Sequence, residues 1–202
     1  KWCVLMNTLE KEVFEEMRSW SAQLLEMPNK HFNNLPACPF AKKAWAEDKV
    51  GFCFNYNQCK QALYKLITNY PDKYDVCLFI EFDYEKNSQK FHDYLNAMNG
   101  AIAQGIFIDK DIWVMGFHPD DEPEDQGFID EPVFDEEAFE PVNDTVYAVT
   151  YIQRLSKLEE SAQIVKEKGY YSVYKNNPEV INMYAQRHQL YRRLNNGRKN
   201  KA

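Results

Sequence analysis

The chain has 202 residues, 45% hydrophobic and 15% aromatic, and a formal net charge of -7. That length suits one domain spanning 1–202, and a chain of this size buries roughly 70% of the surface its unfolded form exposes, so it needs no metal or disulfide staples. The acidic balance argues against nucleic-acid binding, which needs a basic face, and no stretch approaches the ~18 apolar residues of a membrane span.

Asn7 to Met27 reads as an amphipathic helix, with Leu9, Val13, Met17, Trp20 and Leu24 at spacings of three and four. Pro28 and Asn29 end it. Cys38-Pro39 then opens a short helix through about Glu47, because proline is favoured at the first helical position. Lys49 to Tyr56 alternates, with Val50, Phe52, Phe54 and Tyr56 on one side, and predicts a strand. Cys59, Leu63, Leu66, Ile67 and Tyr70 form a helical stripe closed by Pro71. Asp75 to Phe82 is a continuous apolar run that suits a strand buried on both faces. Glu85 to Ala103 is helical again, and Asp111 to Phe117 is the third strand.

Residues 120–141 form an acidic loop punctuated by Pro123, Pro132 and Pro141, without Lys or Arg. Asn143 to Lys168 reads as one helix, with Val149, Ile152, Leu155, Ala162 and Val165 as its stripe. Pro178 to Asn195 is the last helix, followed by a basic tail at 196–202. The expected fold is α/β (or α+β): a small sheet of three to four strands with helices packed on it, in the order α-β-α-β-α-β-loop-α-α. Parallel neighbours are the simplest arrangement; a split sheet with antiparallel neighbours is the alternative.

The cysteines are Cys3, Cys38, Cys53, Cys59 and Cys77. Their number is odd, no CxxC occurs and no signal-peptide pattern precedes them. A disulfide framework is not expected, and a reducing, cytoplasmic compartment fits. Arg187, Arg192, Arg193, Arg198, Lys199 and Lys201 crowd the C-terminus. They read as a solvated tail, or as a contact with the acidic loop or another subunit.

Two motifs carry candidate chemistry. As the N-cap of a helix with Lys42 and Lys43 one turn on, Cys38 is expected to favour its thiolate, the nucleophilic and metal-binding form. Against that stands a buried cysteine packing a helix start. Phe117-His118-Pro119-Asp120-Asp121 brings an imidazole and two carboxylates to the end of a buried strand. His118, Asp120 and Asp121 could bind a divalent metal, or His118 and Asp120 could form an acid–base pair. A capping histidine before a solvated loop is the plainer reading. HExxH, GxSxG, GxGxxG and GxxxxGK are absent, which argues against the commonest zinc proteases, serine hydrolases, dinucleotide enzymes and P-loop enzymes. His31, His92 and His188 read as surface or packing residues.

Taken in order, Cys38-Pro39-Phe40-Ala41, Phe117-His118-Pro119-Asp120 and the Asn143…Tyr147…Arg154 segment resemble the bacterial domain of unknown function 1415 family. The similarity runs from about Trp20 to Lys168. The chain departs from that pattern at Tyr151, where the family has His, at Thr145-Val146 for Ser-Pro, and at Asp121 for Tyr. The resemblance supplies no reaction. It implies that Cys38, His118, Asp120 and Arg154 meet in one place, with Asn143 and Tyr147 as further substrate-binding candidates.

Two function classes follow. One is a metal-dependent small-molecule enzyme with Cys38, His118 and Asp120 as catalytic groups and Arg154 clamping a small anionic substrate. The other is a non-enzymatic binding or assembly protein acting through the acidic loop and the basic C-terminus, as a homo-oligomer or with a protein partner.

Overall fold

A computed structural model describes residues 6–57, 60–121, 145–174 and 178–199. The first helix, α1 (Thr8–Trp20), opens with a capping box. The Asn7 side chain accepts from the Glu10 N–H, and the Glu10 carboxylate accepts from the Asn7 N–H. A single π-turn, Ser21–Leu25, continues it. Two short antiparallel strands follow, β1 (Pro28–Asn29) and β2 (Leu35–Pro36). The turn between them uses left-handed Asn33 and Asn34, a conformation asparagine tolerates better than most residues. Helix α2 (Ala41–Ala46) leads to β3 (Val50–Asn55), α3 (Lys60–Thr68), β4 (Val76–Glu81) and α4 (Ser88–Ala103). The chain continues through β5 (Ile112–Phe117), β6 (Ala148–Arg154), α5 (Leu155–Lys166) and α6 (Pro178–Lys199).

The main sheet has the order β3-β4-β6-β5. β3 and β4 are parallel; β6 runs antiparallel to both β4 and β5. The mixed α/β class and the four-stranded sheet agree with the sequence. The wholly parallel arrangement does not, because the fourth strand inserts between β4 and β5 as the return arm of a hairpin with β5.

That strand corrects the helix expected over Asn143 to Lys168. Ala148 to Ile152 is rich in β-branched and aromatic residues. Four of its five positions are buried, as a central strand with both faces covered requires. Asp111 then starts α5 from a distance. Its carboxylate accepts from the Ser156 N–H at 2.8 Å and the Ser156 hydroxyl at 2.6 Å, and its carbonyl accepts from the Leu155 N–H. This fixes the switch from strand to helix after Arg154.

One sheet face packs on α1, with Val13 and Met17 against Leu78, Ile80 and Val149. The other face carries the larger core, where Phe79, Val114 and Ile152 meet residues of α3, α4, α5 and α6. Helix α4 lies so close to β5 that a Cβ on Gly116 would stand 2.2 Å from Leu95 Cδ1. The Asn99 side chain bonds both the N–H and the carbonyl of Val114, covering part of the outer edge of β5.

Two of the C-terminal cations are used inside the fold. Arg187 Nε donates to buried Glu159 at 2.5 Å, joining α6 to α5, and Arg193 donates to the last carbonyls of α4 at Ala103 and Gln104. Most of the acidic loop, together with Asn143 and the 200–202 end of the basic tail, lies outside the described residues. No helix among the described residues is long and apolar enough to cross a membrane.

Candidate functional site: an apolar cleft beside Cys38

A cleft of about 320 Å³ opens on the α1 side of the sheet. The π-turn and α2 form one wall and α5 the other. Its floor is Val50, Val76, Leu78, Tyr151 and Gln153 from β3, β4 and β6. Polar contacts brace the first wall. Trp45 Nε1 donates to the Ser21 hydroxyl at 2.9 Å, Ser21 donates to Glu26 at 3.0 Å, and the Arg18 guanidinium sits 5.2 Å from the Trp45 ring while pairing with Glu26. The π-turn contributes Ser21 and Leu25 to the lining.

Cys38 lines this cleft but does not cap α2. The helix begins at Ala41 with Phe40 as its N-cap residue. The Cys38 N–H donates to the Leu25 carbonyl at 3.0 Å, pinning the turn to the end of the π-segment. Burial pushes the thiol pKa up, and the Glu26 carboxylate adds to that; the N–H groups of Phe40 and Ala41 pull the other way and are outweighed. The thiolate-favouring environment expected from Cys38-Pro39 is therefore replaced by one that keeps the thiol protonated.

Tyr151 faces Cys38 across the floor. Its phenol is held protonated by burial first and by Cys38 second, and it makes no hydrogen bond to a described residue. Two polar side-chain atoms are sealed and unpaired among the described residues, His31 Nε2 and Thr150 Oγ1. Tyr151 lines the floor of the cleft with its hydroxyl unbonded among the described residues.

Arg154 is at the same end of the sheet, but its guanidinium is committed elsewhere. It donates to the carbonyls of Tyr74, Lys110 and Pro71 at 3.2, 3.1 and 2.9 Å, and to Asp72 at 3.2 Å. It also lies over the Tyr70 ring at 4.6 Å. This is a structural latch, and the anion clamp expected at this position is corrected accordingly.

His118 and its two aspartates lie at the opposite end. Arg154 pairs with Ile112 and Val149 with Phe117. Those positions are five register steps apart, about 17 Å along the strand at ~3.4 Å per residue. The expected meeting of Cys38, His118, Asp120 and Arg154 therefore does not occur. The His118 side chain is fully buried. Its Nε2 donates to the Glu85 carbonyl at 2.7 Å and its Nδ1 accepts from the Asp120 N–H at 3.1 Å, so both ring nitrogens are occupied. Asp121 accepts from Ser88, from His92 and from the His118 N–H at 2.5, 2.7 and 2.8 Å. Burial alone would raise the Asp121 pKa; these bonds outweigh it and hold the carboxyl below its ordinary value. The exposed Asp120 carboxylate remains 3.9 Å from His118 Nδ1.

Among the described residues no three His, Cys, Asp or Glu side chains converge as metal ligands. The His118 lone pair and three of the roughly four acceptor sites of Asp121 are used within the fold, which corrects the expected His118–Asp120–Asp121 metal set. Tyr147 is also structural: its hydroxyl donates to Glu16 of α1 and its ring packs on Phe82. His92, read from the sequence as a surface or packing residue, is a partner of Asp121.

Tyr151 and Gln153 are cleft residues that the helical spacing over Asn143 to Lys168 conceals. Read as a strand, the same residues alternate, and Val149, Tyr151 and Gln153 fall on one face. Comparison of the chain with protein-family models, curated proteins and solved structures gives no match.

Proposed function

We propose that the chain binds a small molecule in the cleft between α2 and α5, with Cys38, Tyr151 and Gln153 as its polar groups. The observation that carries this reading is the cleft itself, where apolar walls surround a few convergent polar side chains. About 300–1,000 Å³ is the usual size of a ligand pocket, and this one is about 320 Å³. The protonated thiol, with no His, Asp or Glu described as bonded to it, favours binding over nucleophilic catalysis. The His118–Asp121 cluster supports the fold at the other end of the sheet and lies outside this site.

Titration with Nile red, a neutral polarity-sensitive dye, tests the reading. Saturable uptake of one dye per chain is expected. Ile164, 59% exposed on the cleft rim, can be changed without disturbing the core. Ile164→Glu should weaken uptake and leave the melting temperature unchanged. Dye uptake absent from the wild-type protein, or unaffected by Ile164→Glu, would remove the cleft as the site.

A further inference from the structure

We infer that the ligand of this cleft is an uncharged, largely apolar small molecule whose polar head accepts a hydrogen bond from the Tyr151 hydroxyl. The inference rests on the cleft being the binding site, and it replaces the anionic ligand that an arginine clamp would take.

The lining holds three cations, Lys43, Arg154 and Lys157, and three carboxylates, Glu47, Asp75 and Glu160. Each cation is already engaged. Lys43 stands 3.7 Å from Glu47 and Lys157 stands 3.8 Å from Glu160. Arg154 is spent on three carbonyls and Asp72. The lining is thus balanced in charge, and an entering anion would have to draw an exposed lysine from its carboxylate while leaving water for largely apolar walls. A cationic ligand would have to draw a carboxylate from an existing pair or rely on Asp75 alone.

The floor of the cleft also holds an unused donor. The Tyr151 hydroxyl has no partner among the described residues, and burial keeps its proton on. A protonated phenol at the floor of an apolar cleft is a directional donor suited to a carbonyl, amide or alcohol oxygen. Gln153 lines the same floor and can add one donor or acceptor. The Cys38 thiol, likewise protonated, is a weak donor beside them. Three uncharged polar groups, in a lining whose cations and carboxylates are equal in number, suit an uncharged polar head.

Octanamide, octanoate and octylammonium share one chain and differ in head-group charge. Protection of Cys38 from N-ethylmaleimide at mildly alkaline pH, read by mass spectrometry of the Cys38 peptide, ranks them at this site. Octanamide should protect at the lowest concentration. Tyr151→Phe keeps the ring that packs on Phe117 and should raise the octanamide concentration needed by about three- to tenfold, the worth of one neutral hydrogen bond. Protection by octanoate or octylammonium at equal or lower concentration overturns the charge class while leaving the cleft reading intact. Unchanged octanamide protection in folded Tyr151→Phe overturns the role of the hydroxyl. If Cys38 is alkylated in the free protein and none of the three protects it, the cleft reading itself fails. Should Tyr151→Phe not fold, the wild-type ranking still decides the charge class.

Discussion

Arg154 and Tyr70 form a latch between the end of β6 and the segment after α3. The guanidinium lies 4.6 Å from the ring centroid, and the Tyr70 hydroxyl donates to the Ile152 carbonyl at 2.9 Å, within the same strand. Together they tie the carbonyls of Pro71, Tyr74 and Lys110 to the sheet. Lysine has three donors on a flexible stem and cannot reproduce the planar fork.

Arg154→Lys should therefore destabilise the protein by about 1–3 kcal/mol: the Pro71 carbonyl keeps the Tyr74 N–H, lysine can serve one of the other two carbonyls, and the one left without a donor costs about that much. Urea denaturation measures this. A variant that retains full stability would show that the guanidinium is free to act elsewhere, and the anion-clamp reading would return.

The reactivity of Cys38 follows from its burial. Iodoacetamide should modify Cys38 more slowly at neutral pH than it modifies a free thiol, with the rate still climbing above pH 9, because thiolate is the reacting species and burial raises this pKa from its ordinary 9.0. A rate that is fast at neutral pH and flat above it would contradict the assignment. The same shift has a thermodynamic consequence. Above the unfolded-state value the unfolded chain loses the proton first, so stability falls as pH rises. Cys77, pushed up to about 12 by burial, acts in the same direction. Chemical denaturation should show stability level up to about pH 9 and falling beyond it, and a Cys77→Ser variant, compared with its own neutral-pH value, should fall less steeply.

Asp121 has the opposite sign. Its folded pKa lies below the ordinary 3.8, so the stability it contributes is present above that value and is lost as pH falls through and below it. Asp121→Asn should cost about 1–3 kcal/mol at neutral pH by weakening the bonds from Ser88, His92 and the His118 N–H, and should reduce the acid sensitivity. It should leave Nile red uptake by the cleft unchanged. Loss of uptake without loss of stability would place the functional site at the His118 end instead.

The parts of the fold that local pattern decides were legible in the sequence. The alternation from Val50 to Phe54, the doubly buried run from Val76 to Ile80 and the stripes on α1 and α4 each follow from one element meeting one core. The strand Ala148–Arg154 was hidden because Val149, Ile152 and Leu155 recur at helical spacing, and a strand covered on both faces shows no alternation to set against it until it pairs with β4 and β5. The site suffered from the same error. With Tyr151 and Gln153 assigned to a helix, their common face with Leu78 was not visible. Arg154 and His118 stand out in the sequence as a clamp and a ligand or base, but a sequence does not show whether a guanidinium meets a ligand or three backbone carbonyls. The chemistry of Cys38 was misjudged because proline marks a helix start without fixing how deeply the preceding residue is buried.

Ligands are proposed to enter the cleft beside Cys38 and not the cluster around His118. Amide chemical-shift mapping during titration with octanamide tests it most directly. Shifts should concentrate at Cys38 to Ala44, Val76 to Leu78 and Tyr151 to Leu158, with Ser88 to His92 and His118 to Asp121 unmoved. Shifts centred on Ser88, His92 and His118, with the Cys38 segment unmoved, would contradict it.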